Sequence, residues 1–355
     1  RQMCIRDRIE SGTLKTGQNL KAISINNELI ENFRVNKILA FRGLKQQAID
    51  TAEAGDIVSL AGMSKATVAD TIADQSVEDP IPAQPIDPPT ITVTFGINDS
   101  PLAGRDGKKV QSRVIRDRLL KECESNVAIK MVDTPGGEAF DVSGRGELQM
   151  GVLIENMRRE GFELSISRPR VIYRDVDGVK NEPIEEVTID VDEEFSGAVI
   201  EKLSSRKGEM VDLKSSGSGK TRIIALVPSR GLIGYHSEFM TDTRGTGILN
   251  RVFHSWSPHK GSIAGRRQGV LISMENGSSV AYAIFNLEER GKFFIGSGEE
   301  VYEGMIIGEH NRDNDLEVNP LKGKKLTNIR ASGNDEAVRL TPPTKLSLEQ
   351  AIAYI

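Results

Sequence analysis

A chain of 355 residues is too long for one compact core and points to two to four domains. With 38% hydrophobic and 27% charged residues it has the composition of an ordered globular protein, and no apolar run approaches the roughly 18 residues that span a bilayer. A formal net charge of −5 excludes a protein that coats nucleic acid everywhere but leaves room for local basic patches, and Cys4 and Cys123 alone make neither a disulfide framework nor a zinc site, which suits a reducing compartment.

Residues 1–7, "RQMCIRD", fit no pattern and read as foreign to the domain that begins after them. Over residues 9–63 short alternating segments are broken by glycine turns, as in "SGTLKTGQNLKAI", "ENFRVNKILAF" and "AGDIVSLAGM". That spacing predicts a small antiparallel β-barrel, and residues 1–78 are expected to be part of one. "EDPIPAQPIDPPT" then places five prolines between Pro80 and Pro89. Such a run is neither helix nor central strand, so residues 79–90 form a stiff linker.

The next elements come in a recognisable order. "TITVTFGI" reads as a strand, "SRVIRDRLLKECES" as a helix, "VAIKMVD" and "AFDVSG" as strands, "RGELQMGVLIENMRREG" as a helix and "FELSIS" as a closing strand. This is β-α-β-β-α-β, the ferredoxin-like unit, over residues 91–170. The order recurs over residues 183–263. "IEEVTIDVD", "FSGAVIEKLSSRKG", "EMVDLK" and "TRIIALVP" are followed by a second helix, "RGLIGYHSEFMTDTRG", and a last strand, "TGILNRVFHS". "RPRVIYRDVDGVKNEP" joins the two units.

Residues 264–355 read as strand-rich. "GVLISM" and "SSVAYAIFNL" are expected to pair as a hairpin across Glu275-Asn276-Gly277-Ser278, because Asn-Gly is the commonest short hairpin signal. A long polar stretch comes next, and between Val318 and Gly333 it holds Lys322, Lys324, Lys325 and Arg330 without an acid. In "LSLEQAIAYI" a Ser347-x-x-Gln350 capping box opens a helix with Leu348, Ala351, Ile352 and Ile355 on one face. A helix with a start signal and no stop, in a chain that begins on Arg1, reads as part of a longer protein.

"KSSGSGKT", residues 214–221, ends like a phosphate-binding loop. The pattern G-x-x-x-x-G-K-[ST] requires a glycine where Lys214 stands, and "RIIALVP" after Thr221 reads as a strand, whereas a phosphate loop opens a helix. The segment is expected to be a polar hairpin. His236, His254, His259 and His310 have no metal-ligand spacing, Glu193-Glu194 and Glu299-Glu300 are adjacent in sequence, and no Ser/His/Asp arrangement can be argued.

Three basic stretches remain. The first carries Arg105, Lys108, Lys109, Arg113, Arg116 and Arg118; the second Arg158, Arg159, Arg168, Arg170 and Arg174; the third is the loop Lys322–Arg330. On an acidic chain, basic loops that contain glycine let the backbone approach a phosphate surface and point to RNA. The Lys322–Arg330 loop also holds Gly323 and Asn328, a mix suited to backbone and 2′-hydroxyl contacts.

These segments carry a family resemblance. "RIESGTLKTGQNL…AEAGDIVSLAGM" resembles the second domain of translational GTPases. "DSPLAGRDGKKVQSRVIRDRL" and "DVSGRGELQMGVLIENMRREGFELSISRPRVIYR" resemble the third domain of the elongation factor G group. "PSRGLIGYHSEFMTDTRGTGILN", the "GVLISMENG…EHNRDNDLEVN" run and "GKKLTNIRASGNDEAV" are similar to the BipA/TypA family, and the resemblance runs from Arg8 to Ile355. It implies a multidomain α+β protein: a partial translation-factor barrel, two tandem ferredoxin-like domains of the third- and fifth-domain type, and a BipA-type C-terminal domain with a long basic loop. It implies a cytoplasmic, monomeric factor without membrane contact that binds the bacterial ribosome at its factor site and serves large-subunit assembly and stress-adaptive translation. GTP and Mg2+ belong to a nucleotide-binding domain outside these residues, so no catalytic, cofactor or metal residue is expected here. The family's contact loop for rRNA and the acceptor end of A-site tRNA matches His310, Arg312, Asn314, Lys322, Lys324, Lys325, Asn328 and Arg330, with Lys108, Lys109 and Arg113 as further ribosome contacts. A LepA-like or elongation-factor-G-like factor and a protein-interaction scaffold are the alternatives; LepA lacks the "PSRGLIG" and "GKKLTNIRASG" runs.

Overall fold

The computed structural model describes residues 3–43, 45–83, 87–215, 219–263, 268–323 and 339–354. The first domain is all β among its described residues. Sheets of four, three and two strands surround one core that holds Leu14, Leu20, Phe33, Ile38, Val58 and Leu60. Every pairing is antiparallel: Met3–Arg8 and Lys37–Arg42 flank Ile57–Met63, and Asn19–Ile23 lies between Leu29–Arg34 and Thr71–Ala73. The alternation read in the sequence is the cause, because alternate side chains of a strand point to one face and bury together. Residues 3–7, expected to be foreign to the domain, supply backbone to the edge strand on Ile57–Met63. The Glu31 carboxylate accepts the N–H groups of Ser64, Lys65 and Ala66 at 2.6–3.2 Å and closes the turn after Ile57–Met63. The described residues of the proline-rich linker form neither helix nor strand.

In the first ferredoxin-like domain the helices are Ser112–Ser125 and Glu147–Arg159. The sheet order is Lys130–Asp133, Ala139–Gly144, Ile91–Gly96 and Ser165–Ile166, with Arg170–Val171 also paired to Ile91–Gly96. Numbered by position in the unit, that is strand order 2-3-1-4.

The second unit repeats the order. Strand Val179–Asp192 lies between Lys220–Pro228 and Ile248–Pro258, and Glu209–Ser215 forms the far edge. Val187, Ile189 and Val191 alternate into a core with Val199, Leu203, Ile223 and Phe239. One expectation is corrected here. The long second helix is two short ones, Ser229–Leu232 and Tyr235–Asp242, because Gly234 takes φ +72, a left-handed conformation that interrupts a right-handed helix. The joining segment carries structure of its own: Arg174–Val176 pairs with the start of Val179–Asp192 across Asp177 and Gly178, both at positive φ. Asp-Gly is a strong hairpin signal, and there it forms the hairpin.

In the C-terminal domain a four-stranded sheet runs Gly291–Phe293, Ile306–His310, Val270–Ser273, Leu316–Val318, with the last pair parallel. The hairpin expected across Glu275–Ser278 does not form. Ala281–Leu287 is a helix, and Gly277–Ser278 pairs with Glu300–Val301. Val280, Ala283, Ile284 and Leu287 recur at helical spacing, which places Ala283 and Ile284 in the interior. Gly277 has φ +149, not the angles of a tight Asn-Gly turn, and a Cβ there would meet Leu321 at 2.4 Å. The capping box at Ser347 forms as read: the Ser347 N–H donates to Gln350 Oε1 at 2.9 Å, and the Gln350 N–H to Ser347 Oγ at 3.3 Å. It opens helix Leu348–Tyr354, in which Ile352 is buried. No helix among the described residues is long and apolar enough to cross a membrane.

Candidate nucleic-acid interface

The sheet of the C-terminal domain holds the root of the basic loop. His310 ends its strand with a buried side chain, and its Nδ1 lies 2.6 Å from the carbonyl oxygen of Asn314. The Gly269 N–H donates to the Arg312 carbonyl at 2.6 Å, and the Val270 N–H to the Asp315 carboxylate at 2.9 Å. A Cβ on Gly269 would lie 2.0 Å from the Asn314 carbonyl oxygen, so only glycine lets the two backbones approach this closely. Arg312, Asn314 and Lys322 are exposed on this frame. His310 supports the turn from inside and does not face solvent. Lys324, Lys325, Asn328 and Arg330 lie outside the described residues.

The first basic stretch is organised by a residue that charge reading passed over. Glu163 is nearly buried, and its carboxylate accepts from Asn98 Nδ2 (2.7 Å) and from the N–H groups of Gly104 (2.8 Å), Asp106 (3.0 Å) and Gly107 (2.9 Å). The N–H of Gly104, then Asn98 and the other loop amides, hold its pKa down to about 2. A Cβ on Gly107 would meet Glu163 at 2.8 Å, so the glycine that loosens the loop in sequence tightens it in structure. From this clamp Lys108 and Lys109 project, both exposed, with the Lys109 ammonium 4.6 Å from the Phe162 ring centroid. Arg105 pairs with Glu300. Arg113 is exposed on helix Ser112–Ser125, while Arg118 is held by Glu122 at 2.9 Å.

The second basic stretch is dispersed. Arg158 and Arg159 both bind Glu155, whose pKa these two guanidiniums lower to about 2. Arg170 pairs with Asp141 at 3.2 Å. Arg168 is exposed, and Arg174 lies over the Trp256 ring at 4.0 Å.

Among the described residues no group of side chains fits GTP or Mg2+. Lys220 and Thr221 begin a strand paired with Glu209–Ser215, so no helix N-terminus stands behind them to receive a phosphate. Residues 216–218 lie outside the described residues. Among the described residues no three His, Cys, Asp or Glu side chains cluster as metal ligands.

Three stretches of the chain match models of known protein families. Residues 7–73 match the model of elongation factor Tu domain 2, residues 179–267 that of the elongation factor G C-terminus, and residues 268–355 that of the TypA/BipA C-terminal domain. Over 349 residues, 98% of this chain, it is 48% identical to the large ribosomal subunit assembly factor BipA of Bacillus subtilis and 50% identical to that of Escherichia coli K12. The BipA of Haemophilus influenzae is 50% identical over the same length. This chain belongs to the BipA/TypA family. It spans 57% of the length of the Bacillus subtilis and Escherichia coli BipA proteins and 56% of that of Haemophilus influenzae. The BipA-type C-terminal match begins at residue 268, beside Gly269, where the frame of the basic loop starts.

Proposed function

We propose that this chain is the ribosome-binding portion of a BipA/TypA-type translational GTPase. It acts as a cytoplasmic monomer in large-subunit assembly and in translation under stress. GTP hydrolysis, with Mg2+, belongs to the whole factor and uses no residue described here. The observation that carries the reading is the exposed set Arg312, Asn314 and Lys322, held on a glycine-dependent frame and continuing into the acid-free run to Arg330. Guanidinium, amide and ammonium donors on a fixed backbone suit phosphate and 2′-hydroxyl oxygens, and on an acidic chain they localise what the net charge would otherwise repel. In this reading the loop contacts large-subunit rRNA and the acceptor end of A-site tRNA, and Lys108, Lys109 and Arg113 supply further ribosome contacts. The names of the relatives, large ribosomal subunit assembly factors, support it.

The test is sucrose-gradient sedimentation of the chain with purified bacterial large and small subunits in separate runs. Co-migration with the large subunit is expected. A chain that stays at the top of both gradients would overturn the proposal. Equilibrium dialysis with labelled GTP is expected to show no saturable binding; micromolar binding abolished by Lys220→Ala would reverse the rejection of the Gly-Lys-Thr segment.

A further inference from the structure

The hairpin at Asp177-Gly178 and the strand end at Trp256–Pro258 bring together aromatic and basic side chains that the proposed loop contacts do not use. Tyr173 is 39% exposed, and the Lys180 ammonium lies over its ring at 3.7 Å. The His259 ring stands 5.9 Å from Tyr173, tilted by 50°. Beside them Arg174 covers Trp256 at 4.0 Å, and Phe253 meets the same indole at 5.8 Å. The backbone enforces the grouping: Arg174 pairs with Asn181, Asn181 with Pro258, and the His259 N–H donates to the Lys180 carbonyl at 3.0 Å. Lys180, Arg174 and His259 are exposed, as is Arg168 before the hairpin.

We propose that this surface is a second RNA contact, one that stacks an unpaired base on Tyr173 while Lys180 and Arg174 engage the flanking phosphates. It rests on the reading of the chain as ribosome-binding but uses residues separate from the Arg312–Arg330 loop. The exchange is favourable by magnitude. A cation over an exposed ring gains roughly two- to fivefold in its equilibrium, whereas a base stacked on an aromatic side chain gains roughly 5- to 150-fold. The ammonium that leaves Tyr173 remains within reach of the phosphate beside the incoming base. Asp175 is engaged with the hairpin turn, accepting the Gly178 N–H at 2.9 Å, and Glu182 is buried on Arg230, so two of the nearby carboxylates are already occupied. A protein groove would require a broad apolar face, and apart from Val176 and Val179 at the tip the exposed side chains named here are aromatic or charged. Bases present π-faces and phosphates together; that is the partner this alternation fits.

Trp256 is the single tryptophan of the chain, so its emission reports on this surface alone. The 355-residue chain is titrated with a single-stranded oligouridine of about ten nucleotides, the length of an ordinary single-strand site. Saturable quenching is expected, weakening as salt rises from about 50 to about 200 mM. Tyr173→Ala should weaken binding roughly 5- to 150-fold and Tyr173→Phe restore it, because the ring and not the hydroxyl stacks. Lys180→Glu, which leaves the ring in place, should lower affinity and flatten the salt dependence. Unchanged emission, or equal affinity of Tyr173→Ala and wild type, overturns the proposal. If the chain still co-migrates with the large subunit in that case, the loop reading stands and only this surface falls. Loss of both would place the failure in the ribosome-binding reading.

Discussion

The pair Glu182–Arg230 holds the second ferredoxin-like domain, and its removal has a calculable consequence. The Glu182 side chain is fully buried and that of Arg230 is 14% exposed. One carboxylate oxygen accepts from the guanidinium at 3.1 Å and from the Lys260 N–H at 2.8 Å; the other pairs with Arg230 Nε. Burial alone would raise the Glu182 pKa, but the Arg230 and Lys260 donors outweigh it and hold it below 4.5. Arg230→Met strands the carboxylate with one donor, and breaking a buried pair from one side costs about 3–5 kcal/mol. Replacing both partners, as Glu182→Leu with Arg230→Met, removes the stranded charge and should recover most of that loss. The dependence on pH has a definite sign. In the wild type the contribution is present above the unfolded carboxyl value near 4.5 and is lost as pH falls through the lower folded value. In Arg230→Met burial is no longer offset by the guanidinium and raises the folded value against the single Lys260 donor, so the gap between variant and wild type narrows on acidification. Urea unfolding followed by Trp256, on the adjoining strand Ile248–Pro258, measures all three proteins at neutral and acid pH. A single-variant cost below about 1 kcal/mol, or a double variant no more stable than the single, would refute the reasoning.

The remaining expectations rest on the same physics. Glu163→Gln should speed amide exchange at Gly104, Asp106 and Gly107. In the wild type the clamp should hold above the ordinary carboxyl value of 4.5 and open as pH falls toward about 2; unchanged exchange in the variant would deny Glu163 this role. Gly269→Ala forces a Cβ to within 2.0 Å of the Asn314 carbonyl oxygen and should cost about 1–3 kcal/mol by urea unfolding, with a parallel loss of ribosome binding. Gly234→Ala, at φ +72, should cost about 1–2 kcal/mol for the left-handed residue, and a neutral result would mean that the break between the two short helices relaxes freely.

Periodicity carried most of the fold. Both ferredoxin-like units, their strand boundaries to within a few residues, and the capping box at Ser347 arise from apolar spacing and local hydrogen-bond chemistry, which a sequence displays directly. The errors fell where a local signal competed with tertiary context. Asn276-Gly277 is a hairpin dipeptide, yet Gly277 is spent on close approach to Leu321, and the run after it winds into a helix. Gly234 broke a helix whose apolar spacing continued on both sides. At the candidate interface, charge pointed to Lys322, Lys108 and Lys109, which are exposed; the family resemblance added Arg312, also exposed, and His310, which is buried. Glu163 escaped because its carboxylate serves backbone amides 56 to 59 residues away and the Asn98 side chain 65 away, a partnership that no local pattern encodes.

Pelleting with large ribosomal subunits at low and moderate salt, comparing wild type with the Lys322→Glu, Lys324→Glu, Lys325→Glu triple variant, tests the central claim most directly. The wild type should bind with a marked salt dependence, and the variant should lose affinity and much of that dependence, since each phosphate contact contributes roughly one unit to the salt slope. Equal pelleting of the two proteins at both salts would contradict the account.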